Sequence, residues 1–286
     1  MSRKNRHQPI GPDITDELEA LMNVANVGSR REVYELMAAE QANSAVIVTG
    51  ASRGIGAAIA EKLAEDGYGV LVNYATDADG AQSVVCAIRA RGGRGIAVRA
   101  DVSTPGDIGD MFERAEQELG PLAALVNNAG IVGTTARIDA QDAGELTRLI
   151  QVNLVGPMLC AKHAIHAMST AHGGTGGSIV NIASLAARTG GLPGIVPYAA
   201  TKGALVTFTR GLSNEVASEG IRVNSVSPGI IATDMITAVP DLQQLATASP
   251  LGRMGRPDEV AATVSWLISP AASFITGSDI TVSGGR

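Results

Sequence analysis

Two side chains capable of acid–base chemistry, Tyr198 and Lys202, stand four residues apart in the stretch Tyr-Ala-Ala-Thr-Lys. That separation places a phenol and an ammonium group on the same face of a helix. A free phenol has a pKa of about 10, so it exchanges protons near neutral pH only when a neighbouring positive charge favours the phenolate. Lowering that pKa by ~2–3 units takes roughly 3–4 kcal/mol, which exceeds what one exposed charge supplies. The pair therefore indicates either a proton-transfer site with a buried lysine or two ordinary neighbours on a helix surface.

A glycine-rich turn follows directly after the apolar run at residues 45–48, which lacks polar alternation and is typical of a strand buried on both faces. The turn contains Gly50, Gly54 and Gly56, and apolar residues then recur at helical spacing from Ile55 onward. Because the first turn of a helix presents unpaired N–H groups and a partial positive charge, this arrangement predicts a phosphate-binding site. The spacing differs from G-x-G-x-x-G, and the lysine of a P-loop is missing, which argues against a nucleoside triphosphate site. A tight connection without a ligand is the alternative.

The composition predicts a large core of small aliphatic side chains, since 45% of the 286 residues are hydrophobic and only 3% are aromatic. A formal net charge of -6 without a basic stripe argues against a nucleic-acid partner. Both cysteines, Cys86 and Cys160, fall in helical stretches, so we expect buried thiols and no disulfide framework. No apolar segment follows the basic N-terminus, so we expect no signal peptide, no membrane span and a cytoplasmic protein.

Strand and helix patterns alternate from residue 45 onward. Buried strands are predicted at residues 45–48, 69–73, 95–99, 122–126, 178–183, 221–227 and 279–282. Helices are predicted at about residues 57–63, 78–91, 107–118, 143–170, 198–219 and 257–268. This alternation predicts an α/β fold, namely a Rossmann-type doubly wound parallel sheet of about seven strands with helices on both faces.

Residues 1–44 are predicted to form an N-terminal extension that is partly helical or disordered. Residues 13–25 place Ile14 and Leu18 on one helical face, with acidic residues early, as the helix dipole favours. Such a helix would dock on the domain or on a neighbouring subunit. The alternatives are a peripheral extension or a chain whose natural first residue is Met37.

From about residue 44 to residue 286 the chain resembles the short-chain dehydrogenase/reductase family, and it carries the family's motifs in the family's order. The matching stretches are Thr49-Gly50-Ala51-Ser52-Arg53-Gly54-Ile55-Gly56, Asn127-Asn128-Ala129-Gly130, Asn153, Ser184, Tyr198-xxx-Lys202, Pro228-Gly229 and Arg253-xx-Arg256-Pro257-xx-Val260. Each motif is modest alone, whereas the ordered set is specific. The resemblance implies that residues 45–286 form a single dinucleotide-binding catalytic domain.

The resemblance also implies hydride transfer between a nicotinamide and a carbonyl or alcohol carbon, without a metal. Tyr198 would exchange a proton with the substrate oxygen, and Ser184 would hydrogen-bond that oxygen. Lys202 would hold the ribose hydroxyls and lower the tyrosine pKa, and Asn153 would position a water in a relay to Lys202. Without the ordered set of motifs, Ser184 is better explained as a strand-end cap and Asn153 as a helix kink or turn.

The cofactor-binding residues implied by the resemblance surround these four. They are Gly50, Ser52, Arg53, Gly54, Ile55, Gly56, Asn73, Tyr74, Asp101, Val102, Asn128, Ala129, Gly130, Tyr198, Lys202, Pro228, Gly229, Ile231 and Thr233. Asn73 and Tyr74 replace the acid that commonly selects NAD at the end of the second strand, and Arg53 is available for a 2′-phosphate, so we favour NADP(H) over NAD(H). Asp77 and Asp79 come a few residues after the end of the second strand, which is late in the chain for that acidic role, although a loop would allow one of them to fold back.

The substrate is predicted to be a small, moderately hydrophobic carbonyl compound or alcohol, because the expected walls at residues 186–197 and 236–251 carry apolar side chains and no charge cluster. Within the family, the chain resembles sugar dehydrogenase-like and 3-oxoacyl-carrier-protein reductase-like members. The resemblance further implies a homotetramer built through the helices near Ala143 and Tyr198 and through the last strand. Two other hypotheses are a catalytically silent NADP(H)-binding sensor, expected to lack the tyrosine or lysine, and a structural subunit, expected to have decayed glycine motifs.

Overall fold

The first strand, β1 (Ala45–Val48), forms part of the core on both of its faces. Ala45 and Ile47 belong to one apolar cluster, Val46 and Val48 belong to a second, and all four are fully buried. Successive side chains of a strand point to opposite faces, so this division requires packed helices on each side of the sheet. The computed structural model of the protein describes residues 43–233 and 249–286.

Seven strands form one sheet in the order β3-β2-β1-β4-β5-β6-β7, and every neighbouring pair is parallel. The strands after β1 are β2 (Gly69–Tyr74), β3 (Arg94–Arg99), β4 (Leu122–Asn127), β5 (Gly177–Ile182), β6 (Ile221–Pro228) and β7 (Asp279–Val282). The order reverses between β1 and β4, which are adjacent in the sheet. In open α/β sheets this reversal creates a crevice beyond the carboxyl ends of the strands, where ligands bind.

Helices cover both faces of this sheet. They are α1 (Gly54–Glu65), α2 (Ala78–Ala90), α3 (Pro105–Leu119), α4 (Ala143–Ile150), α5 (Gly156–Met168), the short α6 (Ala186–Thr189), α7 (Val196–Val216) and α8 (Pro257–Ile268). Helices α1, α2 and α8 contribute to one apolar cluster, whereas α3, α5 and α7 contribute to the other. The predicted doubly wound fold is therefore confirmed.

The long helix predicted at residues 143–170 is wrong in one respect, because a π-helical turn, Gln151–Val155, separates α4 from α5. Pro157 has no N–H with which to close the ordinary α-helical bond to the carbonyl of Asn153, four residues earlier, so the helix widens there. Helix α7 begins at Val196, two residues before the predicted start, and α6 was not predicted.

One thiol also differs from expectation. Cys160 is buried, but Cys86 is exposed, because α2 buries Val84, Val85 and Ile88 and turns Cys86 away from the sheet. Three predicted features lie outside the described residues: residues 1–42 of the extension with its helix at 13–25, Met37, and the part of the substrate wall at residues 236–248. Among the helices that are described, each is too short or too polar to cross a bilayer. The cytoplasmic location stays a prediction.

Candidate active site

Helix α7 brings Tyr198 and Lys202 onto one face, as the spacing predicts. Lys202 Nζ lies 5.7 Å from the centre of the Tyr198 ring and donates a hydrogen bond to the main-chain oxygen of Ile182 at 2.7 Å. Lys202 is only 4% exposed, whereas Tyr198 is partly exposed. Since Ile182 is the last residue of β5, the lysine is fixed at the carboxyl end of the sheet.

Burial controls the pKa values of both side chains. It lowers the pKa of Lys202 to about 8, because water no longer solvates the ammonium form. It raises the pKa of Tyr198 above that of a free phenol, and a hydrogen bond with Ser184 only partly offsets this effect. Of the two side chains, only Ser184 acts to lower the pKa of Tyr198 in this structure, and the lowering expected from Lys202 stays a prediction.

Ser184 follows β5 and has two contacts that explain its position. Its Oγ accepts a hydrogen bond from the main-chain N–H of Ala186 at 3.1 Å, at the start of α6. Its side chain also hydrogen-bonds to Tyr198. Ser184 is thus both the cap suggested by the local sequence and a neighbour of the phenol.

Asn153 lies fully buried in the π turn, and its amide makes hydrogen bonds to two other segments. Its Oδ1 accepts from the N–H of Ile131 at 2.9 Å, and its Nδ2 donates to the carbonyl of Ile131 at 2.8 Å. Nδ2 also donates to Thr201 Oγ1 at 3.2 Å, and Thr201 Oγ1 donates to the carbonyl of Tyr198 at 2.7 Å. The side chain of Asn153 therefore joins the loop after β4 to the helix that carries Tyr198.

The glycine turn is held in a close approach to β4. Gly50 has φ of +61°, and a Cβ on it would lie 2.8 Å from the Cα of Ala129. A Cβ on Gly56 would lie 2.4 Å from the carbonyl oxygen of Gly50. The turn thus has room for main chain only, which gives a ligand the close approach to the main chain that an anion site at a helix start requires.

Three polar side chains fix this turn. Asn128 Nδ2 donates to the carbonyls of Thr49 at 2.9 Å and Gly50 at 2.8 Å, and Asn73 Oδ1 accepts from the N–H of Gly50 at 3.1 Å. Thr49 Oγ1 accepts from the N–H groups of Asn128 and Ala129, each at 3.0 Å. Asn73 and Asn128, which are both predicted to bind the cofactor, therefore shape the turn through their side chains. Thr49 stood within the predicted motif without an assigned role, and only its long-range contacts reveal one.

The second strand ends beside a pair of opposite charges. Arg53, next to the first residue of α1, is 70% exposed, and its guanidinium lies 3.9 Å from Asp77 Oδ2. Asp77 Oδ1 accepts from the N–H of Gly80 at 3.0 Å and so caps α2. Asp77 is thus folded back towards the glycine turn, as the sequence left open, whereas Tyr74 ends β2 and is partly buried.

The side of the crevice that is predicted to bind the adenine follows β3. Asp101 Oδ1 accepts from the N–H of Ser103 at 2.9 Å and from its hydroxyl at 2.7 Å, and Val102 is buried. Asp101 Oδ2 lies 3.8 Å from Arg148 of α4. Sequence reasoning missed Arg148, because nothing local marks a residue 47 positions away as a partner of Asp101.

The crevice is bounded on its far side by the loop after β6. A Cβ on Gly54 would lie 3.4 Å from Thr233 Cγ2, so this loop faces the glycine turn across a narrow gap. Pro228, Gly229 and Ile231 lead to Thr233 from the end of β6. A glycine cradle, a positive side chain at one end and a phenol–lysine pair at the other fit a dinucleotide with a nicotinamide.

Three large apolar side chains are exposed on the segments that follow β4 and lead into α7. Ile138, Leu192 and Val196 are 63%, 40% and 53% exposed. The N–H of Ala136 donates to the carbonyl of Gly194 at 3.1 Å, which joins the loop after β4 to the loop before α7.

The arrangement agrees with comparisons to known proteins. The family model described as enoyl-(acyl carrier protein) reductase matches residues 50–286. The uncharacterized oxidoreductase YgfF of Escherichia coli is 43% identical over 243 residues, which cover 84% of this chain and 98% of that protein. The 3-oxoacyl-[acyl-carrier-protein] reductase FabG of Staphylococcus aureus is 39% identical over 241 residues, covering 84% and 96%. The chain belongs to the short-chain dehydrogenase/reductase family, and it is an NAD(P)-dependent oxidoreductase acting on carbonyl or alcohol groups.

Solved structures with similar folds contain both nicotinamide cofactors. A short-chain dehydrogenase from Burkholderia cenocepacia in complex with NADP has a TM-score of 0.79 and 35% identity, covering 86% of this chain and 98% of that one. A 7α-hydroxysteroid dehydrogenase with NADH and 7-oxo glycochenodeoxycholic acid has a TM-score of 0.79 and 32% identity, covering 85% and 93%. The comparisons therefore support a nicotinamide dinucleotide without deciding between the two.

Proposed function

We propose that this protein interconverts a carbonyl compound and the corresponding alcohol with Tyr198 as the proton donor and acceptor. The observation that carries this proposal is that Tyr198 hydrogen-bonds to Ser184 and lies with its ring centre 5.7 Å from Lys202 Nζ, at the carboxyl end of the sheet. The nicotinamide, when bound, supplies or accepts the hydride. In reduction, Tyr198 gives its proton to the substrate oxygen, for which a phenol protonated at neutral pH is suited.

Ser184 and Lys202 have separate roles in the proposal. The Ser184 hydroxyl donates a hydrogen bond to the same substrate oxygen and stabilises the charge that develops there. Because its pKa is about 8, Lys202 is mostly in its ammonium form at neutral pH and holds the ribose hydroxyls. It also favours transient negative charge on the phenol.

Asn153 contributes in two ways. Its amide positions Ile131 and Thr201, as the hydrogen bonds indicate. Its main-chain carbonyl lacks the ordinary α-helical donor, because that donor would come from Pro157. We propose that the relay water binds to this carbonyl and not to the side-chain amide, whose hydrogen bonds are already used. Through Lys202, this water returns a proton to Tyr198.

NADP(H) is the proposed cofactor, and Arg53 is the residue that favours it. Its guanidinium is exposed beside the glycine turn and matches a 2′-phosphate in charge and in hydrogen-bond geometry. The substrate is proposed to be uncharged and moderately hydrophobic, since the segments that follow β4 and lead into α7 expose apolar side chains at Ile138, Leu192 and Val196.

The proposed assembly is a homotetramer. Phe274 is fully exposed, Trp266 is 40% exposed, and β7 lies at the edge of the sheet with its side chains only partly buried. Exposed aromatic residues beside an open strand edge are suited to a subunit interface. Size-exclusion chromatography with light scattering tests this assembly, and a monomer alone would contradict it.

The function itself is tested by cofactor binding followed by turnover. Purified protein is titrated with NADPH and NADH, with fluorescence as the readout, and is then screened with aldehydes, ketones and 3-oxoacyl thioesters for loss of nucleotide absorbance. We expect tight NADPH binding and turnover that Tyr198→Phe abolishes. Binding without turnover on a broad panel would favour the cofactor sensor instead.

A further inference from the structure

The ion pair between Arg53 and Asp77 occupies the end of the crevice assigned to the adenosine ribose. Both side chains are partly exposed, with 70% of the Arg53 side chain and 34% of the Asp77 side chain accessible. Asp77 comes about 20 residues after the last glycine of the turn, where dinucleotide folds commonly place an acid for the ribose 2′-OH. In this chain the acid stands in the loop after β2 rather than at the end of the strand.

The start of α2 fixes the position of Asp77. Its Oδ1 accepts from the N–H of Gly80 at 3.0 Å, which leaves Oδ2 directed towards Arg53. A Cβ on Gly80 would lie 2.5 Å from Oδ2, so the carboxylate rests in space that a larger residue would fill. The helix cap therefore holds the acid near the arginine.

We propose that Asp77 is a specificity-determining residue that acts through Arg53 and limits the discrimination between NADP(H) and NAD(H). A 2′-phosphate must recruit a guanidinium that already has a carboxylate as its counter-ion, which weakens NADP(H) binding. A ribose 2′-OH makes no such demand, and the same carboxylate is able to accept its hydrogen bond. This inference rests on the proposed function, because it requires a nicotinamide dinucleotide in the crevice.

The expected effect of Asp77 on nucleotide affinity is modest. Partly exposed ion pairs contribute about 0.2–1 kcal/mol, which corresponds to roughly a 1.5- to 5-fold change in Kd. A change of this size is measurable when two nucleotides are compared on the same protein, because errors in protein concentration then cancel.

The test measures the Kd values of NADPH and NADH for the full chain and for Asp77→Asn. Asparagine caps helices as well as aspartate does, so α2 remains capped. The matched control is Asp79→Asn, which removes the same charge two residues later, from the first turn of α2. We expect Asp77→Asn to tighten NADPH about 2- to 5-fold without tightening NADH, and Asp79→Asn to change neither by more than about 1.5-fold.

A third comparison uses Arg53→Gln with and without Asp77→Asn. If Asp77 acts through Arg53, the gain in NADPH affinity disappears in the double variant. A gain that persists without Arg53, or equal effects of the two aspartate variants, would overturn the inference. Failure of the wild-type protein to bind either nucleotide would instead refute the proposed function.

Discussion

Asn153 holds both main-chain polar groups of Ile131, accepting from its N–H at 2.9 Å and donating to its carbonyl at 2.8 Å. This contact joins the π turn to the loop that follows β4. Gly130 lies beside it, and a Cβ on that residue would be 3.3 Å from Asn153 Oδ1 and 3.4 Å from Lys202 Nζ. The geometry around the lysine therefore depends on a side chain from a different part of the chain.

Asn153→Ala is expected to lower both stability and activity. It removes the buried amide and leaves the polar groups of Ile131 without their partner, which costs about 1–3 kcal/mol. Urea unfolding measures the stability, and kcat/KM measures the activity at a temperature where the variant is folded. Asn214→Ala, on the exposed face of α7, is the control and should change neither. Unchanged activity in folded Asn153→Ala would contradict the positioning role.

Tyr198→Phe is expected to reduce kcat at least about 100-fold, because the ring remains while the proton donor is lost. NADPH affinity should stay within about twofold, since the phenol hydroxyl acts on the substrate oxygen. Tyr68→Phe removes a hydroxyl just before the start of β2, at the opposite end of the strand from the crevice, and serves as the control. Retention of more than about a tenth of kcat by Tyr198→Phe would assign proton transfer to another group.

Much of the site was predictable because its determinants are local. The four-residue separation of Tyr198 and Lys202 places them on one helical face, and the continuous apolar run of β1 requires burial on both sides of a sheet. Pro157 was also visible, but its effect falls on Asn153, four residues earlier, and the apolar helical pattern runs through both positions. The signal for the π turn was thus present in the sequence and weaker than the periodicity around it.

The contacts that fix the glycine turn were not predictable from local pattern. Asn128 reaches Gly50 across 78 residues, and Asn73 reaches it across 23. Both contacts exist only because β2 and β4 flank β1 in the sheet. The same limit applies to Asp77, whose cap on α2 decides that its carboxylate faces Arg53 rather than solvent.

Burial of Lys202 is expected to make stability depend on pH. Its pKa is about 8 in the folded chain, against an ordinary 10.5, so between these values the unfolded state binds more protons. The free energy of unfolding therefore rises with pH across this window, by roughly 3 kcal/mol in total, and this contribution is absent below about pH 8. Lys202→Met lacks the titrating group. Urea unfolding without nucleotide at about pH 7.5 and 9.5 should show wild type gaining about 2 kcal/mol relative to Lys202→Met. A constant or falling difference would show that the lysine is not buried as described.

Replacing glycine by alanine is expected to change stability in opposite directions in the glycine turn and in α7. Gly56→Ala places a Cβ 2.4 Å from the carbonyl oxygen of Gly50 and 2.5 Å from Asn128 Nδ2, so the turn must shift. Overpacking of this kind costs about 1–3 kcal/mol, and the gain of up to about 1 kcal/mol from replacing a helical glycine offsets it only in part. Gly211→Ala lies in the interior of α7 with nothing within 4 Å of the new Cβ, so it should stabilise the chain by up to about 1 kcal/mol.

Urea unfolding measures both variants, and NADPH titration separates the site from the fold. We expect Gly56→Ala to weaken NADPH binding at least about 10-fold, because the N–H groups of the turn leave their positions. Gly211→Ala should bind as wild type does. Wild-type NADPH affinity in Gly56→Ala would mean that the phosphates are held elsewhere, since a shifted turn is incompatible with an unchanged anion site.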